Sequence, residues 1–435
     1  MTDRIVSAAL GSASREVRHS ALVRYGVWVA AAAAMAAMPF VFRSGTAITV
    51  MSLIGISIIF SLSYNILLGQ TGLLSFGHAV YYGLGGYLAV HAMKIIIANG
   101  FPIPLPLIPL IGGIAGLFFA VLFGWLSTKR SGTAFAMISL GLAELIGSSA
   151  LILRGFFGGE EGITVDRTKL LRIFEWSFGP QVQVYYLIAA WCLICAFLMY
   201  ALTRTPLGRM CNAVRDNPER VQFVGYDPRM VRFLAFCLSG FFAGIAGALA
   251  TINFEIANSA LFGAVQSGTV LLATFMGGAG FFFGPVIGAI LVVYLQLMLS
   301  DLTSMWQLYF GLLFIAMVMF APFGIAGLIM MHRTLWRTGV LHTVLPSYLL
   351  ALVPLLVMLT GAALIIEMVH HLAAKAAEGP AMTFAGIRLQ ANAVGPWIAG
   401  LLMAGGGFLL FRRASRAVAA AWSRAGSTAA AGGRP

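Results

Sequence analysis

Charged residues are scarce in this sequence. Lys, Arg, Asp and Glu together make up 9% of the 435 residues, whereas a soluble domain carries roughly 25%. A surface that faces water cannot be built from so few charges, so the composition excludes a soluble globular enzyme and a disordered protein. The alternation typical of a membrane β-barrel is also missing, because apolar residues run together. The predicted fold class is all-α: a polytopic integral membrane helical bundle.

Cysteine is scarce as well, at four residues. Cys192 and Cys195 form a C-x-x-C inside an apolar run, where lipid denies a redox pair access to its thiolate, so we predict that they pack. Cys211 and Cys237 add too little for a disulfide framework. His, Asp and Glu do not cluster near one membrane face in the way that catalysis requires. We therefore predict no catalytic residue and no metal site.

Apolar residues make up 60% of the chain and form long segments. A helix needs about 20 of them to cross the ~30 Å hydrocarbon layer. Twelve segments are predicted to associate with the membrane, and two of them, Gln266–Gly277 and Phe282–Leu299, are short enough for half-helices. The other ten are Tyr25–Phe42, Ala47–Leu68, Phe76–Ile97, Pro104–Leu126, Ala134–Leu153, Val182–Leu202, Phe233–Ile252, Gln307–Met331, Pro346–Ile366 and Ala393–Phe411.

The positions of Lys and Arg predict the orientation. With the N-terminus inside, 19 of the 27 basic residues fall on cytoplasmic segments, and the reverse orientation would invert that excess. Segment 1–24 and the basic tail 412–435 are thus both predicted to be cytoplasmic. Because the positive charges lie in short loops between apolar runs, membrane topology explains them and nucleic acid is not an expected partner.

The 50 glycines follow two patterns. Gly112–Gly116, Gly240–Gly244 and Gly284–Gly288 have the small-x-x-x-small spacing that lets two helices approach closely in lipid. Two clusters instead interrupt apolar segments: GQTG at 69–72, followed by Gly77-His78, and GGAG at 277–280. Non-helical backbone at membrane depth persists only when it is buried in protein or lines a cavity. Paired breaks of this kind indicate a translocation path.

Polar residues near these breaks are the candidates for lining the path. His78 could instead cap a helix. Glu144 is a carboxylate well inside a predicted span, where an unpaired charge is costly. It could be the coupling group of a gradient-driven carrier or channel, or a packing residue bonded to serine or backbone groups. The predicted path residues are Gln70, Ser75, His78, Glu144, Gly277 and Gly278.

The loop 203–232 carries six arginines and two helix-start signals. Thr205-Pro206 and Asn217-Pro218 each place an N-cap residue before a proline at the first helical position. Gly225 is then the stop signal of a short helix from Pro218 to Val224. Positive-inside bias explains the arginines but not a capped helix, so we predict a docking element for a cytoplasmic partner.

Several segments together resemble the permease family of branched-chain amino acid ABC importers, and specifically its M-type subunit. The resemblance extends over about residues 47–330. It is carried by SLSYNILLGQTGLLSFGHAVYYGLGGYLA (61–89), GTAFAMISLGLAELI (132–146), GGEEGI (158–163), the arginine-rich stretch 204–240, GGAGFFFGPVIGA (277–289) and FAPFGIAGL (320–328).

The resemblance implies a heteromeric machine: a second, H-type permease, two cytoplasmic ATPases, and a periplasmic binding protein, in the bacterial inner membrane. It implies that Glu160 and Glu161 meet the binding protein. It also implies that a coupling helix docks on the ATPase through Pro218, Glu219, Arg220, Val221, Phe223 and Gly225.

The sequence departs from the family pattern in two ways, which concern the site of ATP binding and the number of spans. None of the four lysines lies in the phosphate-binding pattern G-K-[ST], so ATP and Mg are expected on partner subunits and no cofactor on this chain. The permease core is predicted to span 25–331, and an extension at 332–411 adds two spans. The solute is expected to be a branched-chain amino acid or a related small polar molecule.

Overall fold

The computed structural model describes residues 26–171, 176–321, 323–337, 341–374 and 379–432. Segment 1–24 and Tyr25 lie outside the described residues. The described chain divides into two compact units. The first takes the residues up to 298 together with 314–326, and the second takes 299–313 together with the residues from 327 on. The predicted domain boundaries stay a prediction.

The described residues form an all-α bundle with two short antiparallel ladders, which confirms the predicted fold class. Nine of the described helices are long and apolar enough to cross a membrane. The helices are α1 Gly26–Val41, α2 Gly45–Asn65, α3 Ala79–Asn99, α4 Ile108–Ser127, α5 Thr133–Ile152, α6 Arg154–Phe157, α7 Gln181–Arg204, α8 Pro206–Asp216, α9 Pro218–Phe223, α10 Pro228–Phe254, α11 Ala264–Gly277, α12 Gly284–Leu302, α13 Trp306–Phe320, α14 Gly324–Arg337, α15 Leu341–Ala374 and α16 Val394–Gly432. The strands are β1 Ile163–Thr164, β2 Ile256–Ala257, β3 Ala381–Phe384 and β4 Ile387–Gln390.

Two predicted segments differ from the structure, and a third is bent. Phe282–Leu299 is predicted to be short enough for a half-helix, but α12 has 19 residues and is long enough to span. Gln307–Met331 is predicted as one segment, and α13 and α14 together are long and apolar enough for one span that is bent by 44° at the break between them. The last segment was predicted to end at Phe411, but α16 continues through the basic tail to Gly432. Alanine-rich sequence after Phe411 favours this continuation.

In the first unit α10 is buried along most of its length, with α2, α3 and α4 packed around it. Helices α4 and α10 cross closely through the predicted glycine motifs. A Cβ at Gly116 would overlap the carbonyl oxygen of Gly240, and one at Gly244 would overlap that of Gly112. The four glycines therefore bring two backbones into direct contact, as their spacing predicts.

We expect Gly244→Ala to destabilise the protein although alanine favours helix over glycine by about 1 kcal/mol. The added methyl group presses on the backbone of α4 rather than on a flexible side chain, so overpacking lowers the free energy of unfolding by about 2 kcal/mol. All four cysteines are buried, so a fluorogenic maleimide that labels exposed thiols reports thermal unfolding. Gly147→Ala is the control, because a Cβ at Gly147 meets nothing within 4 Å; it should leave stability unchanged or raise it. Equal melting temperatures for the two variants would contradict the contact.

The second unit contains α15 and α16, which pack along each other. A Cβ at Gly361 would lie 2.8 Å from the carbonyl oxygen of Gly400. Strands β3 and β4 pair antiparallel between these helices, with Ala385 and Gly386 at positive φ in the turn. Both helices are long and apolar enough to span.

Candidate functional site: the junction of two glycine breaks

The first break lies at the end of α2. After Asn65 the helix widens into a π-helical turn, Ile66–Gln70, and the chain then runs without regular structure to α3. Gly72, at a φ of +69°, allows this exit. The backbone N–H groups of Gly72 and Leu73 still bond back to Leu68 and Leu67. A π-helical turn is a common feature of functional sites in helices.

The second break separates α11 from α12. Helix α11 ends at Gly277, and Gly278 follows with a φ of +107°. The chain turns through 279–283 before α12 begins at Gly284. A Cβ at Gly277 would overlap the carbonyl oxygen of Gly284, and one at Gly288 would overlap that of Ala273. The predicted Gly284–Gly288 pair thus packs α12 directly against α11.

The two breaks meet at Gly69. A Cβ on Gly69 would overlap the carbonyl oxygen of Ala279, in the second break, and the side chain of Asn65. Both breaks are therefore parts of one junction in which backbone lies against backbone. The sequence predicts each break, but only the tertiary structure places them together.

Arg215, at the end of α8, joins the arginine-rich loop to this junction. Its guanidinium Nη1 donates a hydrogen bond to the carbonyl oxygen of Gly69, and its Cγ covers the open face of Gly72. That carbonyl has no ordinary helical partner where the helix widens and ends, so an external donor satisfies it. Sequence reasoning counted Arg215 only as one of six basic charges and missed this role, because nothing in its spacing points to Gly69.

Buried polar side chains surround the first break. His78 Nε2 lies 3.0 Å from Ser63 Oγ, and the Tyr64 hydroxyl donates to the Ser75 carbonyl over 2.9 Å. Among the described residues, eight buried polar side-chain atoms have no hydrogen-bond partner, and five of them belong to this region: Ser61 Oγ, Asn65 Oδ1, Gln70 Oε1, Ser75 Oγ and His78 Nδ1. Each such atom costs about 1–3 kcal/mol. Their concentration at one point is typical of a place that binds polar groups.

The predicted path residues fall in two places. Gln70, Ser75 and His78 lie at the first break, and Gly277 and Gly278 lie at the second. Glu144 does not join them. Helix α5 packs through Ser139, whose Oγ accepts from the Phe76 N–H, and its Ala143 side lies against Gly77. Glu144 itself is exposed on the outward face of α5.

The segment between α7 and α10 has the predicted caps. Thr205 Oγ1 accepts from the Gly208 N–H over 3.2 Å, and Asn217 Oδ1 accepts from the Arg220 N–H over 3.0 Å. Helix α9 ends in a Schellman motif, with Gly225 at a φ of +92° and the Tyr226 N–H bonded to the Val221 carbonyl. The structure ends α9 at Phe223, so the predicted last residue, Val224, is its C-cap.

Glu160 and Glu161 lie exposed at the tip of a turn formed by glycines at positive φ: Gly158, Gly159 and Gly162. The turn leads into β1, which pairs with β2 just after α10. This turn and helix α9 therefore lie at opposite ends of α10.

Cys211 lies on α8 next to the junction. Burial raises the pKa of its thiol to about 11, so the thiol stays protonated near neutral pH. Across the described parts of the chain, no group of three or more His, Cys, Asp or Glu side chains could hold a metal ion.

A bundle of membrane-length helices with a polar junction in its interior defines a polytopic membrane protein. The chain belongs to the family described as branched-chain amino acid transport system / permease component, whose sequence profile matches residues 46–322. This confirms the family resemblance. Helices α15 and α16 lie outside the matched range.

Three relatives illustrate the range of similarity. The high-affinity branched-chain amino acid transport system permease protein LivM of Escherichia coli is 28% identical over 310 residues, covering 66% of this chain and 72% of the relative. The autoinducer 2 import system permease protein LsrD of Salmonella typhi is 27% identical over 235 residues, covering 52% and 68%. The branched-chain amino acid permease protein BraD of Pseudomonas aeruginosa is 23% identical over 282 residues, covering 61% and 90%. No solved structure matches the chain significantly.

Proposed function

We propose that this chain is the permease subunit of an ABC importer in the bacterial inner membrane. With a second, H-type permease it forms the pathway for branched-chain amino acids or related small polar solutes. It catalyses no reaction and binds no cofactor; ATP and Mg bind to two separate cytoplasmic ATPases. Both termini are cytoplasmic. A periplasmic binding protein delivers the solute and contacts Glu160 and Glu161. Membership of the family and the transport functions for which the relatives are named support this proposal.

The exposed apolar end of α9 is the observation that carries the coupling role. Phe223 is 90% exposed and Val224 is 71% exposed, and Tyr226 beside them is half exposed. Val221, on the opposite side of the short helix, is buried against the rest of the unit. An aromatic residue held out on a capped helix, outside any predicted span, is typical of a binding anchor that inserts into a partner's groove.

The contact between Arg215 and Gly69 supplies a route from the ATPase to the path. Helix α9 packs on α8, and α8 ends at the residues that hold the first glycine break. Movement of α9 on ATP binding would carry Arg215 with it and change the packing of the two breaks. A partner can shift that equilibrium only by the free energy with which it favours one state.

We expect Phe223→Ala to weaken association with the ATPase by about tenfold, because truncating a central aromatic anchor costs 1.4 kcal/mol or more. The measurement is the amount of P-loop ATPase recovered with the tagged chain from membranes of its own host. Phe101→Ala is the matched control, because it makes the same substitution at a half-exposed phenylalanine. Phe101 lies in the loop after α3, whereas the first glycine break lies before α3.

Recovery of the ATPase that is unchanged by Phe223→Ala would refute the docking role of α9.

The alternative function is a self-sufficient, gradient-driven carrier or channel that uses Glu144. It requires that Glu144→Gln abolish uptake and that uptake proceed without ATP. Our proposal requires the reverse for ATP: depletion of ATP stops uptake while the ion gradient is maintained.

A further inference from the structure

A cavity of about 160 Å³ lies among α2, α3, α11 and α12 in the first unit. None of the predicted path residues lines it. Its polar lining comes from Ser57 near the middle of α2, Gln266 and Thr269 on α11, and Gln296 on α12. Leucine, isoleucine and valine side chains form most of the remaining wall, together with Phe60 and Tyr82.

The polar groups of this cavity offer both donors and acceptors. Gln296 Nε2 donates to Thr269 Oγ1 over 3.2 Å. No described residue donates to the side-chain carbonyl oxygen of Gln296, which can therefore accept from a ligand. The Gln266 side-chain amide makes no hydrogen bond to another described residue, so it can donate and accept at the same time. Two primary amides within one cavity suit a ligand that itself carries an uncharged hydrogen-bonding group.

No charged side chain is among the described residues that line the cavity. A net charge placed there would lose its hydration without an ionic partner, which costs several kcal/mol. The apolar wall and the two rings favour an aliphatic or aromatic portion. A cavity of roughly 150 Å³ is enough for a benzene-sized molecule.

Phe60 connects the cavity to the glycine junction. Its ring lies 4.5 Å from that of Tyr82, centroid to centroid, and stacks on the His78 imidazole at 5.4 Å with an interplanar angle of 12°. His78 in turn bonds Ser63 next to the first break. A ligand in the cavity therefore contacts a ring that also stacks on His78 beside the first break.

We propose that this cavity is a solute site that selects small, uncharged amphiphiles, with the two glutamine amides binding the polar group and the apolar wall binding a branched or cyclic portion. This inference rests on the proposed function, because only an importer would transport the molecule that the cavity binds. It narrows the solute class to molecules without net or separated charge, such as aliphatic amides.

The test is binding of 3-methylbutanamide to the purified chain in nanodiscs of phosphatidylethanolamine and phosphatidylglycerol, followed by ligand-observed NMR. We expect the amide to bind at least fivefold more tightly than 3-methylbutanoate, 3-methylbutylamine or leucine, which share its branched chain but carry charge. Gln296→Leu should weaken amide binding about fivefold, because one neutral hydrogen bond contributes about that factor to the affinity. Gln307→Leu, at an exposed glutamine of α13, should not.

Gln296→Glu adds a reversal that a merely structural role would not produce: the new carboxylate should make 3-methylbutylamine the preferred ligand. Equal binding of the charged analogues, tighter binding of leucine, or amide binding that survives Gln296→Leu would each overturn the proposal. The measurement uses the chain without its ATPase. If the amide binds but no ATPase is recovered with the chain, the solute site is supported and the importer function is rejected. If the ATPase is recovered but the amide does not bind, the importer function is supported and the solute site is rejected.

Discussion

Gly69→Ala is expected to reduce uptake to background while the protein still inserts in the membrane. The new methyl group would overlap the Ala279 carbonyl oxygen and the Asn65 side chain, so the two glycine breaks must separate. Separation also withdraws the Gly69 carbonyl from Arg215. The measurement is ATP-dependent uptake into host cells of radiolabelled leucine and, in parallel, of radiolabelled 3-methylbutanamide, scored on whichever of the two the unchanged protein transports. The amount of protein in the membrane fraction is determined in the same cells.

Gly280→Ala provides the control for this prediction. Gly280 lies in the second break beside Ala279, but a Cβ there meets nothing within 4 Å. Its uptake should stay near that of the unchanged protein. If Gly69→Ala also transported normally, the two breaks would not be in contact during the transport cycle.

Arg167→Ala is expected to lower the free energy of unfolding by about 3 kcal/mol. A hydrogen bond to a charged group contributes about 1.5–3 kcal/mol, and this substitution removes several of them. Water molecules that enter the vacated space can bond the freed carbonyl oxygens, so the total loss is smaller than the sum of the bonds. The Arg167 side chain is 8% exposed and lies 3.6 Å from Glu255. It donates to the carbonyl oxygens of Ile252 and Asn253, the last turn of α10, and to those of Phe178 and Gly179. One guanidinium thus caps the C-terminal end of the central helix and holds the loop between α6 and α7.

The same thiol-labelling melt measures the effect of Arg167→Ala. Lys169→Ala is the matched control two residues away, because Lys169 is 64% exposed and, among the described residues, its ion pair is with the exposed Asp166. Its stability should change by about 0.5 kcal/mol or less. A melting temperature for Arg167→Ala equal to that of Lys169→Ala would show that water replaces the buried hydrogen bonds at no cost.

Much of the fold follows from local sequence. The apolar runs gave the positions of the membrane helices, because lipid requires every backbone group of a span to be satisfied within the helix. The caps of α8 and α9 followed from Thr205-Pro206, Asn217-Pro218 and Gly225, since cap chemistry involves residues only two to five apart. The glycine pairs of α4 and α10 followed from their spacing for the same reason.

The candidate site was less accessible to sequence reasoning. Gln70, Ser75 and His78 were proposed from their place beside a glycine break, and their roles remain predictions. Arg215 and the cavity around Gln266 and Gln296 were missed, because their partners lie far away in the chain and no periodicity links them. Glu144 stood out by its charge, but the direction in which it points depends on which face of α5 packs against Gly77.

The sequence by itself determined that this protein is a polytopic α-helical membrane protein, where its helices break, and which family it resembles. These properties depend on composition, on runs of about 20 residues and on short motifs. Only the tertiary structure decided that Gly69 meets Ala279 and Arg215, that Arg167 caps α10, and that two glutamines share a cavity. In a membrane the hydrophobic effect does not select one helix pair over another, so close packing and buried hydrogen bonds make that selection. Those contacts join residues that are distant in the chain.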